Sequence, residues 1–238
     1  MTEDLKRFRN FSAPSLRNYF SRPIHCSKNI AMPRRKTYNY LLLLFLVFSG
    51  LAGTPTDDVL SKKERKFAAD HMKNTKMALQ DAVKGLSSAQ LNYKVAADKW
   101  SVKECVYHIA ISEKNLWEML ETSMKAPATP EKKKDLKVTD DQVIKMIEDR
   151  TNKVKTFAPF EPQNTPYKSL DEALNDFRTT RAGHIKYIKA TSEDLRNHFV
   201  QMPFGLLDCY QLCLMISSHT NRHIQQLNEV RADSGFPK

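Results

Sequence analysis

His219 and His223 stand four residues apart, a spacing that places two imidazoles about one turn apart on the same face of a helix. They share a stripe with Leu212, Ile216 and Val230, the pattern of a helix face that points into a core. Because the chain has seven histidines in 238 residues, the spacing alone is a weak signal, and the apolar stripe strengthens it. The pair is therefore a candidate for two ligands of a metal ion.

A third histidine, His108, lies on another apolar stripe, which also contains Cys105, Ile109, Leu116 and Met119. Three imidazoles turned toward one core need partners, because buried polar groups without them are costly. A divalent metal with three histidine ligands and one open position would satisfy all of them. A lone inward histidine is more often a core residue with an ordinary hydrogen bond, so this alternative stays open for each of the three.

Five segments of the chain have helical patterns. Four of them begin at Ser or Thr with Glu or Gln three residues later, which is a capping box, and Asp208 can cap the fifth. The predicted helices run from Ser61 to about Gly85, Ser101 to about Met124, Thr139 to about Lys155, Ser169 to about Lys189 and Asp208 to about Ala232. No convincing strand pattern appears. The helix lengths suit an all-α four-helix bundle with one long connection.

Residues 32–53 have the pattern of an export signal, and we expect a cleaved signal peptide over about residues 32–52. A basic stretch opens the segment, and the 14-residue apolar run 40–53 is shorter than the ~20 residues that a membrane-spanning helix needs. Residues 1–31 are interpreted either as the result of a start codon assigned upstream of the true start at Met32, or as an N-terminal extension. An N-terminal membrane anchor and an organelle transit segment are the alternatives.

The net charge of +11 is concentrated at the N-terminus: residues 1–53 contribute +7, and the rest of the chain contributes +4. This distribution argues against nucleic-acid binding, and we expect membrane contact only through the N-terminal signal. Four cysteines exclude a disulfide scaffold. Cys105, Cys209 and Cys213 are predicted to be unpaired, small apolar core residues.

Two motifs resemble those of a known family. Residues 100–109 fit the pattern W-S-x-x-E-x-x-x-H-I, and residues 219–226 fit H-x-x-R-H-x-x-Q. Together they are similar to the signature of the DinB-like (YfiT-like) four-helix bundles. The resemblance covers about residues 58–236, and it implies an up-down-down-up bundle with the long connection between helices 2 and 3.

The resemblance also implies that His108, His219 and His223 bind a divalent metal ion. Zinc, nickel, manganese and iron all stay open, because affinity order alone does not select among them. A neutral ligand set leaves the ion its +2 charge, which activates a bound water or thiol and polarises an oxygen substrate. Gln226 and Trp100 are further candidates, each either for contacting substrate or for supporting a ligand. No catalytic residue beyond these is predicted.

Three functions remain open from the sequence. Some family members are low-molecular-weight-thiol S-transferases, and others are described only as metal-dependent hydrolases. Because those thiols are cytosolic and this chain carries an export signal pattern, we expect a metal-dependent hydrolase of an unidentified small molecule. A metal-dependent thiol S-transferase is the first alternative. A non-catalytic bundle that binds a metal or ligand is the second, and a homodimer is compatible with each of the three.

Overall fold

The computed structural model describes residues 59–151 and 156–238, so the predicted signal at 32–53 and the segment 1–31 lie outside the described residues. The helices of the described residues are α1 (Lys62–Val83), α2 (Ser88–Asn92), α3 (Val102–Lys125), α4 (Asp140–Glu148), α5 (Leu170–Ala190) and α6 (Cys209–Arg231). Short 3-10 turns occupy Pro130–Asp135, Ala158–Phe160 and Pro162–Asn164. In the described ranges, none of the helices combines the length and the apolar character needed to cross a membrane.

The helix starts follow hydrogen bonds that are local in the sequence. Ser61, Ser101, Thr139, Ser169 and Asp208 each accept a hydrogen bond from the backbone N–H three residues later. A side chain in this position satisfies one of the amide groups that the first turn of a helix leaves unpaired. The five predicted starts are therefore confirmed.

The four long helices α1, α3, α5 and α6 form the bundle, and contacts along their length fix their directions. Between α1 and α6, Glu64 contacts Tyr210 and His71 contacts Ser217. Between α3 and α5, Lys114 contacts Asp176 and Trp117 contacts Tyr187. Between α1 and the end of α5, Arg65 contacts Thr191, and Met72 contacts Arg181 within α5. Residue numbers rise together in the first two helix pairs and in opposite directions in the third. The bundle is therefore up-down-down-up, as expected.

The connection between α3 and α5 contains α4, which is shorter than predicted. The predicted helix from Thr139 to about Lys155 ends at Glu148. Its end has a local cause, because the Asp149 carboxylate accepts hydrogen bonds from the backbone N–H and the hydroxyl of Thr151. Such a turn competes with helix continuation. The short helix packs against α6.

A small antiparallel hairpin before α6 was not predicted. Strand β1 (Phe199–Met202) pairs with β2 (Gly205–Asp208), and Met202 lies opposite Gly205. Gly205 has a φ of +140°, a conformation that glycine adopts without a steric penalty. Strands of four residues are too short to give a clear alternation in sequence. The hairpin delivers Asp208 to the start of α6.

In the described residues, the apolar core forms two clusters, most of whose members lie on the four bundle helices. One includes Met72 and Leu214, and the other includes Leu79 and Phe177. All four side chains are almost completely buried. Burial of one such side chain stabilises the fold by about 1.5–3 kcal/mol.

A buried ion pair links the four bundle helices. Arg181 on α5 is fully buried and donates two hydrogen bonds to the Glu113 carboxylate on α3, at 2.7 and 2.5 Å. The same guanidinium donates to the hydroxyls of Thr75 on α1 and Thr220 on α6, at 2.9 and 2.8 Å. His184 donates from Nδ1 to Glu113 at 2.7 Å. No sequence motif singles out His184, and the structure places it in this buried cluster.

We expect a thiol-alkylating reagent to leave Cys105, Cys209 and Cys213 unmodified in the folded protein. All three are unpaired and fully buried. Burial raises the pKa of Cys105 to about 12 and that of Cys209 to about 11, so the reactive thiolate is scarce. Peptide mapping by mass spectrometry should show all three labelled after denaturation without reductant. Labelling of the native protein would contradict this packing, and failure to label the denatured chain would reveal a disulfide.

Candidate metal centre

The packing of α3 against α6 brings the three predicted histidines together. His108 lies in the second turn of α3, and His219 and His223 lie on successive turns of α6. The Nε2 atom of His219 is 3.2 Å from the Nε2 atoms of both His108 and His223. One ring nitrogen from each histidine falls within 4.8 Å of the others. The structure thus forms a cluster that the helix phase had indicated.

Hydrogen bonds on the outer side of two rings fix their tautomers. His108 donates from Nδ1 to the backbone carbonyl oxygen of Phe160 at 2.6 Å. His223 donates from Nδ1 to Oε1 of Gln226 at 2.9 Å, and the same oxygen accepts a hydrogen bond from Arg150. A neutral imidazole that donates from Nδ1 has a lone pair at Nε2. The inner nitrogens of both rings are therefore acceptors.

The lone pairs converge in a way that hydrogen bonds alone do not satisfy. His219 has at most one proton at Nε2 and can direct it to only one of its two neighbours. The other contact then places a lone pair 3.2 Å from Nε2 of His219 with no proton between the two nitrogens, which is electrostatically unfavourable. A cation between the three nitrogens removes this conflict, because it accepts all three lone pairs.

The protonation equilibria of the cluster favour neutral ligands. His108 and His223 are buried and His219 is half-buried. Burial lowers the pKa of His108 to about 4. Burial and repulsion from the neighbouring histidines hold the pKa values of His219 and His223 well below the usual range. All three rings are therefore neutral at pH 7, the form that binds metals.

The donor set fits a divalent transition metal. Zinc–nitrogen bonds of about 2.0–2.1 Å at tetrahedral angles separate the nitrogens by about 3.3–3.4 Å, close to the two 3.2 Å contacts. Among the residues that the structure describes, no carboxylate or thiol joins the cluster. The ligand set is thus neutral, and imidazole ligands suit zinc, nickel, iron and copper.

The two other predicted site residues lie against the ligands. The Trp100 ring packs on His108 and His223, with ring centroids 4.8 and 5.9 Å apart. Gln226 accepts the hydrogen bond from His223 described above. Both therefore contact ligand rings and help to hold them in place. Partners that orient metal-binding histidines in this way support metal affinity.

Three contributors to the site were missed by sequence reasoning. Phe160 acts through its backbone carbonyl, which every residue type has, so its side chain gave no signal. Arg150 lies beyond α4, far in sequence from Gln226, to which it donates. Ser112 has its hydroxyl 3.5 Å from Nε2 of His108. Ser112 is four residues after His108 and therefore lies on the same face of α3, one turn further along. That spacing is the sequence signal that could have identified it as a neighbour of His108.

A family model described as the DinB superfamily matches residues 71–227, a range that contains all three histidines. The chain belongs to the DinB superfamily. Its relatives include the uncharacterized protein YuaE of Bacillus subtilis strain 168, which is 26% identical over 152 residues that cover 63% of this chain and 88% of YuaE.

A solved structure supports the fold of this DinB superfamily member. YfiT from Bacillus subtilis, described as a probable metal-dependent hydrolase with an unusual four-helix bundle topology, superposes with a TM-score of 0.52. The match covers 77% of this chain and 94% of YfiT at 14% sequence identity. At this identity, the likeness establishes the four-helix fold and nothing more about this chain.

We expect the metal-free protein to lose stability as the pH falls from 6.5 to 4. The unfolded chain protonates His108 near pH 6.5, whereas the folded protein keeps it neutral down to a pKa of about 4. Folding is therefore favoured fully above pH 6.5 and progressively less below it, by about 3 kcal/mol at pH 4 for this residue. Urea denaturation at a series of pH values measures the effect.

His108→Gln is the comparison for this experiment. Other groups titrate in the same range, among them Asp208, whose burial raises its pKa to about 6. The difference between parent and variant removes the contribution of Asp208 and leaves that of His108, together with its effect on the pKa values of His219 and His223. The parent should have the steeper loss of unfolding free energy. Parallel pH profiles would contradict the assignment of a buried neutral imidazole.

Proposed function

We propose that this DinB superfamily member is a metal-dependent hydrolase that acts on a small molecule. The observation that carries the proposal is the convergence of three neutral imidazole nitrogens, two of them fixed as acceptors by hydrogen bonds from their outer nitrogens. Supporting it, the fold neighbour YfiT is described as a probable metal-dependent hydrolase.

A divalent ion held by His108, His219 and His223 supplies a charge that polarises the bond to be cleaved and lowers the pKa of water. The protein's own groups prepare that site. Phe160 and Gln226 keep two of the ligand nitrogens directed inward. A dry, low-dielectric site strengthens electrostatic interactions with a substrate.

Two further side chains have roles in this proposal. Trp100 covers two ligand rings and limits the access of water to them. The Ser112 hydroxyl donates toward Nε2 of His108 in the metal-free arrangement. An ion held by His108 would take up that lone pair, and the Ser112 hydroxyl would then be able to donate to an oxygen of a substrate.

Activity panels with metal-stripped and metal-reloaded protein test the proposal. The panel contains an ester, an acyl nitroanilide as the amide, and each of these with added cysteine as the thiol. We expect metal-dependent hydrolysis without thiol, abolished in His219→Ala and retained in His198→Ala. Turnover that requires thiol would replace the proposal with S-transfer, and bound metal without turnover would leave a non-catalytic bundle.

We also propose that residues 32–52 direct export and are removed. The support is the sequence pattern of a basic stretch, an apolar run and small residues before the cleavage position. We expect the intact mass of the native product to match a chain that begins at Gly53 or Thr54. A soluble cytoplasmic product that retains residues 1–31 would contradict this.

A further inference from the structure

A cavity lies between α3 and α5, away from the metal centre. Its volume is about 460 Å³, and none of the three clustered histidines lines it. Small-molecule sites commonly have volumes of about 300–1,000 Å³. The cavity is therefore large enough for a compact organic ligand.

His184 contributes a buried polar group to this cavity. The ring is only 6% exposed, and it stacks on Trp117 with centroids 3.6 Å apart and planes 10° apart. Its Nδ1 donates to Glu113. Burial opposes ionisation of Glu113, but the charge and hydrogen bonds of Arg181 hold the pKa of Glu113 below its usual value, so the carboxylate accepts.

When the ring of His184 is neutral and donates from Nδ1, the remaining lone pair is on Nε2. Within the described residues, no hydrogen bond reaches Nε2. An acceptor without a protein partner at a cavity wall is available to a ligand that donates a hydrogen bond. The Glu113 contact also fixes the ring orientation, so the acceptor is held in one direction.

The rest of the cavity favours a cation with an apolar body. The rings of Trp117 and Tyr187 meet at 87°, with centroids 5.4 Å apart, and provide two perpendicular aromatic walls. Glu121 accepts a hydrogen bond from Nε1 of Trp117 at 3.0 Å. Glu118 lines the same wall and has no ion-pair partner among the described residues. Aromatic faces and carboxylates together attract organic cations.

A glycine keeps the cavity open. Gly183 lies in the interior of α5, where glycine lowers helix stability relative to alanine. A Cβ atom built at this position meets no other atom within 4 Å, and Gly183 lines the cavity. Packing inside the protein therefore does not require glycine here, whereas a larger side chain would occupy the cavity.

We propose that this cavity binds a small organic amine. The apolar body of the amine lies against Trp117 and Tyr187, its ammonium group donates to Nε2 of His184, and its charge is balanced by Glu118 and Glu121. Lys114 also lines the cavity, but its ammonium group is paired with Asp176 at 3.1 Å. The site does not depend on the proposed hydrolase function.

Calorimetric titration of metal-stripped protein with three matched probes tests the proposal. Benzylamine has both charge and N–H donors, benzyltrimethylammonium has charge without a donor, and benzyl alcohol has a donor without charge. We expect saturable binding of benzylamine, at least about tenfold tighter than either of the others, since each lost interaction weakens binding. Equal affinity for all three, or no binding of benzylamine, would overturn the proposal.

Variants locate the bound probe. Gly183→Leu should fill the cavity and abolish benzylamine binding, while Ala182→Leu, the neighbouring exposed position, should bind like the parent. His184→Phe keeps the stack on Trp117 but removes both the acceptor at Nε2 and the donor to Glu113, so its affinity should fall about tenfold or more. His108→Ala should retain benzylamine binding. Undiminished binding to Gly183→Leu, or loss in His108→Ala, would place the probe elsewhere and overturn the proposal.

Discussion

Replacement of His108, His219 or His223 by Ala should lower the affinity for a divalent ion by orders of magnitude. Each variant retains two ligands of a set that the fold has already brought together, with Nε2 contacts of 3.2 Å. Bound metal should also stabilise the parent by about 2.7 kcal/mol when the free ion is at a hundred times its Kd. That stabilisation should vanish in all three variants. Titration of metal-stripped protein with zinc, nickel and manganese, followed by thermal melting, measures both effects.

His198→Ala is the matched control for these variants. His198 is also buried, and its Nδ1 donates to the carbonyl of Ser123 at the far end of α3 from His108. It should keep the full metal-dependent shift. His184→Ala is a poorer control, because it would disturb Glu113. If His108→Ala keeps the shift while His219→Ala and the third variant lose it, only the pair on α6 binds metal.

Loss of either partner in the Arg181–Glu113 ion pair should be the most damaging change to stability outside the core. Both side chains are buried, so Arg181→Met leaves a buried carboxylate with only His184 as its partner, and Glu113→Gln leaves a buried guanidinium without a counter-charge. Removal of one partner from such a pair costs about 3–5 kcal/mol. Urea denaturation of metal-stripped protein measures this loss directly.

The double variant Arg181→Met, Glu113→Gln tests the cause. Because it removes both charges, it should be less destabilised than either single variant. Lys66→Ala provides the exposed comparison, since Lys66 pairs with Asp70 at the surface, and its unfolding free energy should be unchanged. Single variants that behave like Lys66→Ala would show that the buried pair contributes little.

Helix starts could be predicted from the sequence because a cap and its partner are three residues apart. The end of α4 and the hairpin could not, because the turn at Asp149 and the four-residue strands give short signals that compete with helical periodicity. The histidine cluster could be predicted from the sequence for another reason. Each of the three histidines lies on an apolar stripe of its helix and also belongs to one of the two family motifs, at residues 100–109 and 219–226.

The buried ion pair was missed although part of its signal was present. Glu113 lies four residues after Ile109 and four before Trp117, so it lies on the buried face of α3. A carboxylate on such a face requires a cation, but the sequence does not show which of the chain's Lys and Arg residues supplies it. Arg181 meets Glu113 only after α3 and α5 pack together. Tertiary packing, not local pattern, determined this site and the cavity beside it.

X-ray absorption of protein purified without a polyhistidine tag, combined with elemental analysis, tests the metal centre most directly. We predict one divalent ion per chain, with three imidazole nitrogens in its first shell at about 2.0–2.1 Å if the ion is zinc. The His198→Ala protein should give the same spectrum, and the His108→Ala protein should lose the ion or one imidazole. A purified, metal-supplemented protein that holds no stoichiometric ion, or an ion bound through sulfur, would contradict the three-histidine centre.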